Sequence, residues 1–185
     1  MADEAASRRG VLFAALLLGA GVAVALGVYG RAHTPDFEAL PSLGFSGPGA
    51  FKSWGASVVL VLAVLQLLSA LWLYGKLPVN RTAPAWLGTV HRTSGALAFV
   101  LSLPVAAFCL YGLGFSPEPF VMRRFVHSVA GCLLYGAFAA KVLFVHTRRL
   151  PGWALPLAGG LLFASIVVLW WTGAKWYWGV EGVSG

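Results

Sequence analysis

The sequence is short of charge. Only 10% of its 185 residues are Asp, Glu, Lys or Arg, against roughly 25% in ordinary soluble domains. At the same time 59% are hydrophobic. A globule of this size leaves too much surface exposed to hide such a surplus in one core. A water-soluble fold is excluded, and the excess must face lipid. Acid is scarcer than base: six Asp and Glu against thirteen Lys and Arg leave a net charge of +7. The basic residues form no stripe but stand between apolar blocks, where they anchor helix ends at phospholipid headgroups. No nucleic-acid partner is expected. Cysteine is nearly absent, and Cys109 and Cys132 lie in apolar segments with no CxxC spacing. That excludes a zinc or thiol-redox motif and leaves them as small hydrophobes.

What is present is a set of five long apolar runs, each near the ~20 residues a spanning helix needs. They predict an all-α integral membrane bundle, a single membrane domain over residues 1–185, with spans at about 11–30, 53–75, 87–115, 120–146 and 152–173. The outer loop, 31–52, is rich in Pro and Gly and long enough to fold over one membrane face. Trp54, Trp72, Trp86, Trp153, Trp170, Trp171, Trp176 and Trp178 all fall near span ends, the level indole prefers. Tight turns at Ser116–Pro119 and Arg148–Gly152 predict that the last three helices are sequential antiparallel neighbours. Pro104 and Pro156 are expected to kink their helices. Gly19, Gly21, Gly27, Gly30, Gly159 and Gly160 are expected to let helices approach closely.

Ser7-Arg8-Arg9 before an apolar run resembles an export signal, but the run is longer than a signal core, so an uncleaved first helix is expected. Inner segments then hold Arg8, Arg9, Lys76, Arg81, Arg92, Arg148 and Arg149, and outer ones Arg31, Lys52, Arg123, Arg124 and Lys175. This bias places the N-terminus inside and the C-terminus outside the cell membrane. The Asn80-Arg81-Thr82 glycosylation triplet falls on the inner face and is set aside.

Ionisable residues within spans are costly and therefore informative. No Asp or Glu lies in any predicted span, which argues against a carboxylate-based transporter. Lys141, His91, His127 and His146 remain. Lys141 is expected to snorkel, or to meet a haem propionate. His33, in the outer loop, reads as solvated. His91 opens the third helix and His127 the fourth, each with a glycine four residues on, at Gly95 and Gly131. Residues four apart share a helical face, so each glycine leaves a flat gap of the kind a planar macrocycle needs beside the imidazole. His146 closes the fourth helix nineteen residues after His127, roughly 28 Å at helical rise, so these two mark opposite membrane faces. The third helix begins where the fourth ends. His91 and His146 are thus expected on adjacent antiparallel helices at one level, supplying both axial nitrogens of one b-type haem near the cytoplasmic face. Only His33 shares a level with His127.

The stretches VHRTSGALAFVLSLP and FVHSVAGCLLYGAFAAKV, within residues 86–173, resemble the cytochrome b561 superfamily. The chain is also similar to small bacterial membrane proteins with no assigned function. The first resemblance implies a four-helix core and haem ligands at helix starts, His91 and His127 among them, with partners on the first and second helices. Those helices contain no histidine here, so His146 or His33 would stand in.

Three functions are carried forward. The first is a b-type haem electron-transfer subunit exchanging electrons with a quinone or an iron–sulfur or haem protein. The second is a haem-free accessory or assembly subunit of a larger membrane complex. The third, a channel or carrier, is disfavoured by uncharged spans and by the lack of a repeat relating two halves of the chain. A self-contained enzyme is not expected.

Overall fold

The computed structural model describes residues 2–78, 82–116, 121–146 and 151–183, with side chains from residue 9 onward. The glycosylation triplet and the turns expected at 116–119 and 148–152 lie wholly or partly outside these residues, as do Arg81, Arg148 and Arg149.

The fold is all-helical. The helices are α1 (Ala2–Ala32), α2 (Pro48–Leu73), α3 (Ala85–Gly112), α4 (Met122–Val145) and α5 (Ala154–Trp170); α5 continues through a π-helical turn (Trp171–Lys175) into α6 (Trp176–Glu181). Five stretches are long and apolar enough to cross a membrane: Arg9–Ala32, Pro48–Leu73, Ala85–Gly112, Met122–Val145 and Ala154–Glu181. Pro48 occupies the first turn of α2, where its missing N–H costs nothing. Gly75 and Gly114, at φ 63° and 65°, end α2 and α3 in the left-handed conformation that side chains resist.

Burial is inverted relative to a soluble protein. Ala, Ser and Cys dominate the buried positions, whereas Leu16 is 65% and Val24 64% exposed. Water would not tolerate such an apolar exterior; hydrocarbon does. The chain is a multi-pass membrane protein.

In the bundle α3 packs on α2, α2 on α5 and α5 on α4, and α1 lies along α4 with only a light touch on α3. The α1–α4 seam comes from two runs of residues four apart. Gly19 and Gly136 meet so closely that a Cβ on either would stand 2.7 or 2.5 Å from the other's carbonyl oxygen. Ala15 shares a buried cluster with Ala140 and Phe144, and Gly27 faces Cys132. Residues with almost no side chain leave the backbones free to touch, which admits Cα–H···O contacts.

Two expectations are corrected and one is refined. α3 and α4 are antiparallel neighbours, but their backbones do not pack closely. They are bridged by the stacked Phe99 and Phe138 rings, 3.8 Å apart, and by the Tyr135 hydroxyl donating to the Ser102 carbonyl at 2.9 Å. Bulky aromatics on facing positions hold these helices apart. Pro156 falls in the first turn of α5, where there is no hydrogen bond for it to break, so it causes no kink. The fifth span runs on past residue 173, so Trp170 and Trp171 lie within the helix rather than at its end. Trp170 is held there because its indole N–H donates to Ser57 Oγ at 2.9 Å, joining α5 to α2.

Candidate functional site

The four histidines are all anchored, and the anchors sort them. Hydroxyls inside lipid-facing helices must spend their hydrogens on a backbone carbonyl or another acceptor, because no water competes. Thr172, buried on the π-turn, donates to the Val168 carbonyl at 2.6 Å. Its oxygen lies 2.8 Å from His127 Nδ1. Ser69 of α2, also buried, stands 3.1 Å from the Gln66 carbonyl and meets His91 through Nδ1 as well, at 2.8 Å. His146 Nδ1 lies 2.8 Å from the Val142 carbonyl, which can only accept, so this Nδ1 donates.

His33 is the exception. Its Nε2 lies 3.1 Å from the Tyr111 carbonyl and must donate to it. The ring also stacks on Tyr29 at 5.4 Å and tilts against Tyr111 at 4.8 Å. His33 is thus not a solvated loop residue. It ties the end of α1 to the end of α3, beside the Phe115 N–H bond to the Gly30 carbonyl at 2.7 Å. With Nε2 committed, it is a poor partner for His127.

The three helix-end histidines make their hydrogen bonds to different elements. His91 sits against α2, His127 against α5, and exposed His146 turns back on its own helix. Among the described residues no three His, Cys, Asp or Glu cluster as a metal site would. Hollows of about 460 and 420 Å³ have no histidine in their lining, although Thr172, the partner of His127, lines the second.

The glycine gaps are also occupied. A Cβ at Gly95 would stand 2.9 Å from Gln66 Oε1. The Gln66 amide fills this notch because, inside α2, it has no water to bond. It reaches across to donate to Ser94 Oγ at 2.7 Å and to the His91 carbonyl. Gly131 rests in ordinary contact with Leu169. The glycine closest to His127 is instead Gly173, where a Cβ would stand 2.9 Å from the ring's Cε1. The π-turn brings Gly173 there. A turn with one extra residue re-aims the side chains that follow, and such turns recur at functional sites.

For a haem, the donor chemistry fits. Histidine ligates iron through one ring nitrogen while the other donates to a fixed acceptor; His146 Nδ1 faces a carbonyl, and His91 and His127 Nδ1 face hydroxyls that can accept. The ring plane would require the Gln66 carboxamide, the far end of a flexible side chain, to leave the Gly95 notch. Lys141 is half-buried on α4.

Sequence reasoning missed Ser69, Thr172, Gly136 and Gly173 as partners. Gln66 and Ser69 were visible only as polar interruptions of an apolar run.

The chain belongs to a family of unknown function, DUF6529, whose profile matches residues 12–185. Comparison with curated proteins and with solved structures returned no match.

Proposed function

We propose that the protein is a b-type haem electron-transfer subunit of the cell membrane, with its N-terminus inside, its C-terminus outside, and His91 and His146 as the iron ligands. The observation that carries this reading is the shared point of attachment. All three helix-end imidazoles are held by an oxygen at Nδ1, and the loop histidine is held at Nε2 instead. The α3–α4 spacing supports it as well, since a group liganded from both helices requires backbones that stand apart. A haem bound there would supply a one-electron couple. Ser69 would orient His91, Lys141 would offer a cation to a propionate, and the apolar helices would exclude water and tune the potential. A quinone or an iron–sulfur or haem protein would exchange electrons at the membrane face.

The test is the reduced-minus-oxidised absorption spectrum of the detergent-purified protein, produced with haem supplied. A sharp band in the cytochrome b region is expected in the wild type and in His33→Ala, and its loss in His91→Ala. Colourless protein, or equal haem content in the two variants, overturns the assignment.

A second reading is favoured by a separate observation. Gly159 and Gly160 meet nothing within 4 Å, and beside them Leu157 and Leu161 are 54% and 53% exposed. A haem-free accessory subunit would use this α5 face to dock a larger membrane complex. Colourless wild-type protein that carries a partner through purification, and loses it in Gly160→Leu, would establish that reading instead.

A further inference from the structure

The second hollow, about 420 Å³, opens between the start of α4 and the end of the fifth span. Met122 and Val126 form its apolar wall, and Arg123 and Lys175 bring two cations to its rim, each over an indole. The Arg123 guanidinium lies 3.8 Å from the Trp176 ring centre and the Lys175 ammonium 3.1 Å from that of Trp171. No carboxylate is among the lining residues.

This arrangement is built by the π-turn. Thr172 and Ala174 are buried against the bundle, which leaves Trp171, Lys175 and Trp176 on the outward side. Arg123 is steadied from below by one N–H donated to the Thr172 carbonyl at 2.6 Å. Guanidinium carries five N–H donors, so four remain, held in a fixed plane. Indole faces attract the cations without consuming their hydrogens. Two oriented cations, flanked by tryptophans at a membrane boundary and continuous with an apolar wall, match a ligand that has an anionic head and a hydrocarbon tail.

We propose that this groove is the headgroup site of an anionic phospholipid, with phosphate bridging Arg123 and Lys175 and an acyl chain lying along Met122 and Val126. It stands whether or not the chain binds haem.

The full-length chain, purified in detergent with equal amounts of phosphatidylglycerol and phosphatidylcholine of the same acyl composition, is examined by native mass spectrometry. Retained phosphatidylglycerol is expected to exceed phosphatidylcholine by on the order of tenfold, as two basic groups at a membrane surface provide. Lys175→Gln should cut that excess several-fold and Arg123→Gln/Lys175→Gln should abolish it, whereas Lys76→Gln, on the opposite face, leaves it unchanged. Lys175 is exposed, with its ammonium over the Trp171 ring, so Lys175→Gln is expected to keep the fold, which its melting curve checks, and it decides the matter even where the double variant does not fold. Equal retention of the two lipids by the wild type, or an excess untouched by Lys175→Gln, overturns the proposal. Inorganic phosphate that stabilises the protein against heat as well as phosphatidylglycerol does also overturns it, by making the ligand a free anion.

Discussion

The α1–α4 seam is closed by two glycine backbones in contact at Gly19 and Gly136, whereas the α2–α3 seam is closed by a polar clasp in which Gln66 and Ser69 hold His91 and Ser94. The two solutions answer one problem. With hydrocarbon outside, an apolar side chain gains nothing by moving from lipid to a neighbouring helix. A helix pair must therefore either approach more closely than lipid tails can follow, or offer polar groups that lipid cannot satisfy. The first seam depends on having almost no side chain and the second on having the right one, so they should fail under different substitutions.

Two substitutions set the seams against each other, and a third, outside both, gives the baseline. The largest effect belongs to Gly136→Leu. A Cβ there already meets Gly19's carbonyl oxygen at 2.5 Å and the Ala23 Cβ at 3.1 Å, and neither can yield without moving a helix. Reversible unfolding in bicelles should show a loss of at least about 3 kcal/mol, the upper range for overpacking. Wild-type stability in this variant would mean that the backbones do not touch. An intermediate effect is expected for Gln66→Leu, which keeps the bulk and removes the clasp. Its cost by the same measurement is about 1–2 kcal/mol, the range for interhelical hydrogen bonds in membranes, and a neutral result would reduce the clasp to packing. The smallest belongs to Gly160→Leu, which should stay within about 0.5 kcal/mol of wild type, because among the described residues no neighbouring helix comes within 4 Å of a Cβ placed there.

This contrast also explains what could be read beforehand. The five spans were legible because length and apolarity alone define them. His91 and His127 were legible as informative because an ionisable group near a span is rare, although they lie six and five residues past the starts of α3 and α4 rather than opening them. Which glycines meet a neighbour was not legible. Gly159 and Gly160 read the same as Gly19, yet Gly19 is in contact and they are not. In a soluble helix the polar face would betray which side is inward, but here both sides are apolar and the periodic signal is lost. The partners of the histidines were hidden for a related reason. Ser69 and Thr172 stand 22 and 45 residues away in sequence, and only the packing of separate helices brings them together. The π-turn at 171–175 left no signal at all in a run of apolar and small residues.

The pairing of α1 with α4 has a consequence for how the molecule assembles. During synthesis α1 enters the membrane before α4, and the helix it fits is separated from it by two further spans. Neighbours in sequence, α2 with α3 and α4 with α5, can join as hairpins as soon as the second helix of each pair arrives. α1 does not pack on α2 in this way, so its glycine row stays uncovered by α4 until that later crossing is made. A nascent polypeptide halted after α3 would keep that row open to any other small-residue helix nearby, and arrival of α4 is the event that closes it.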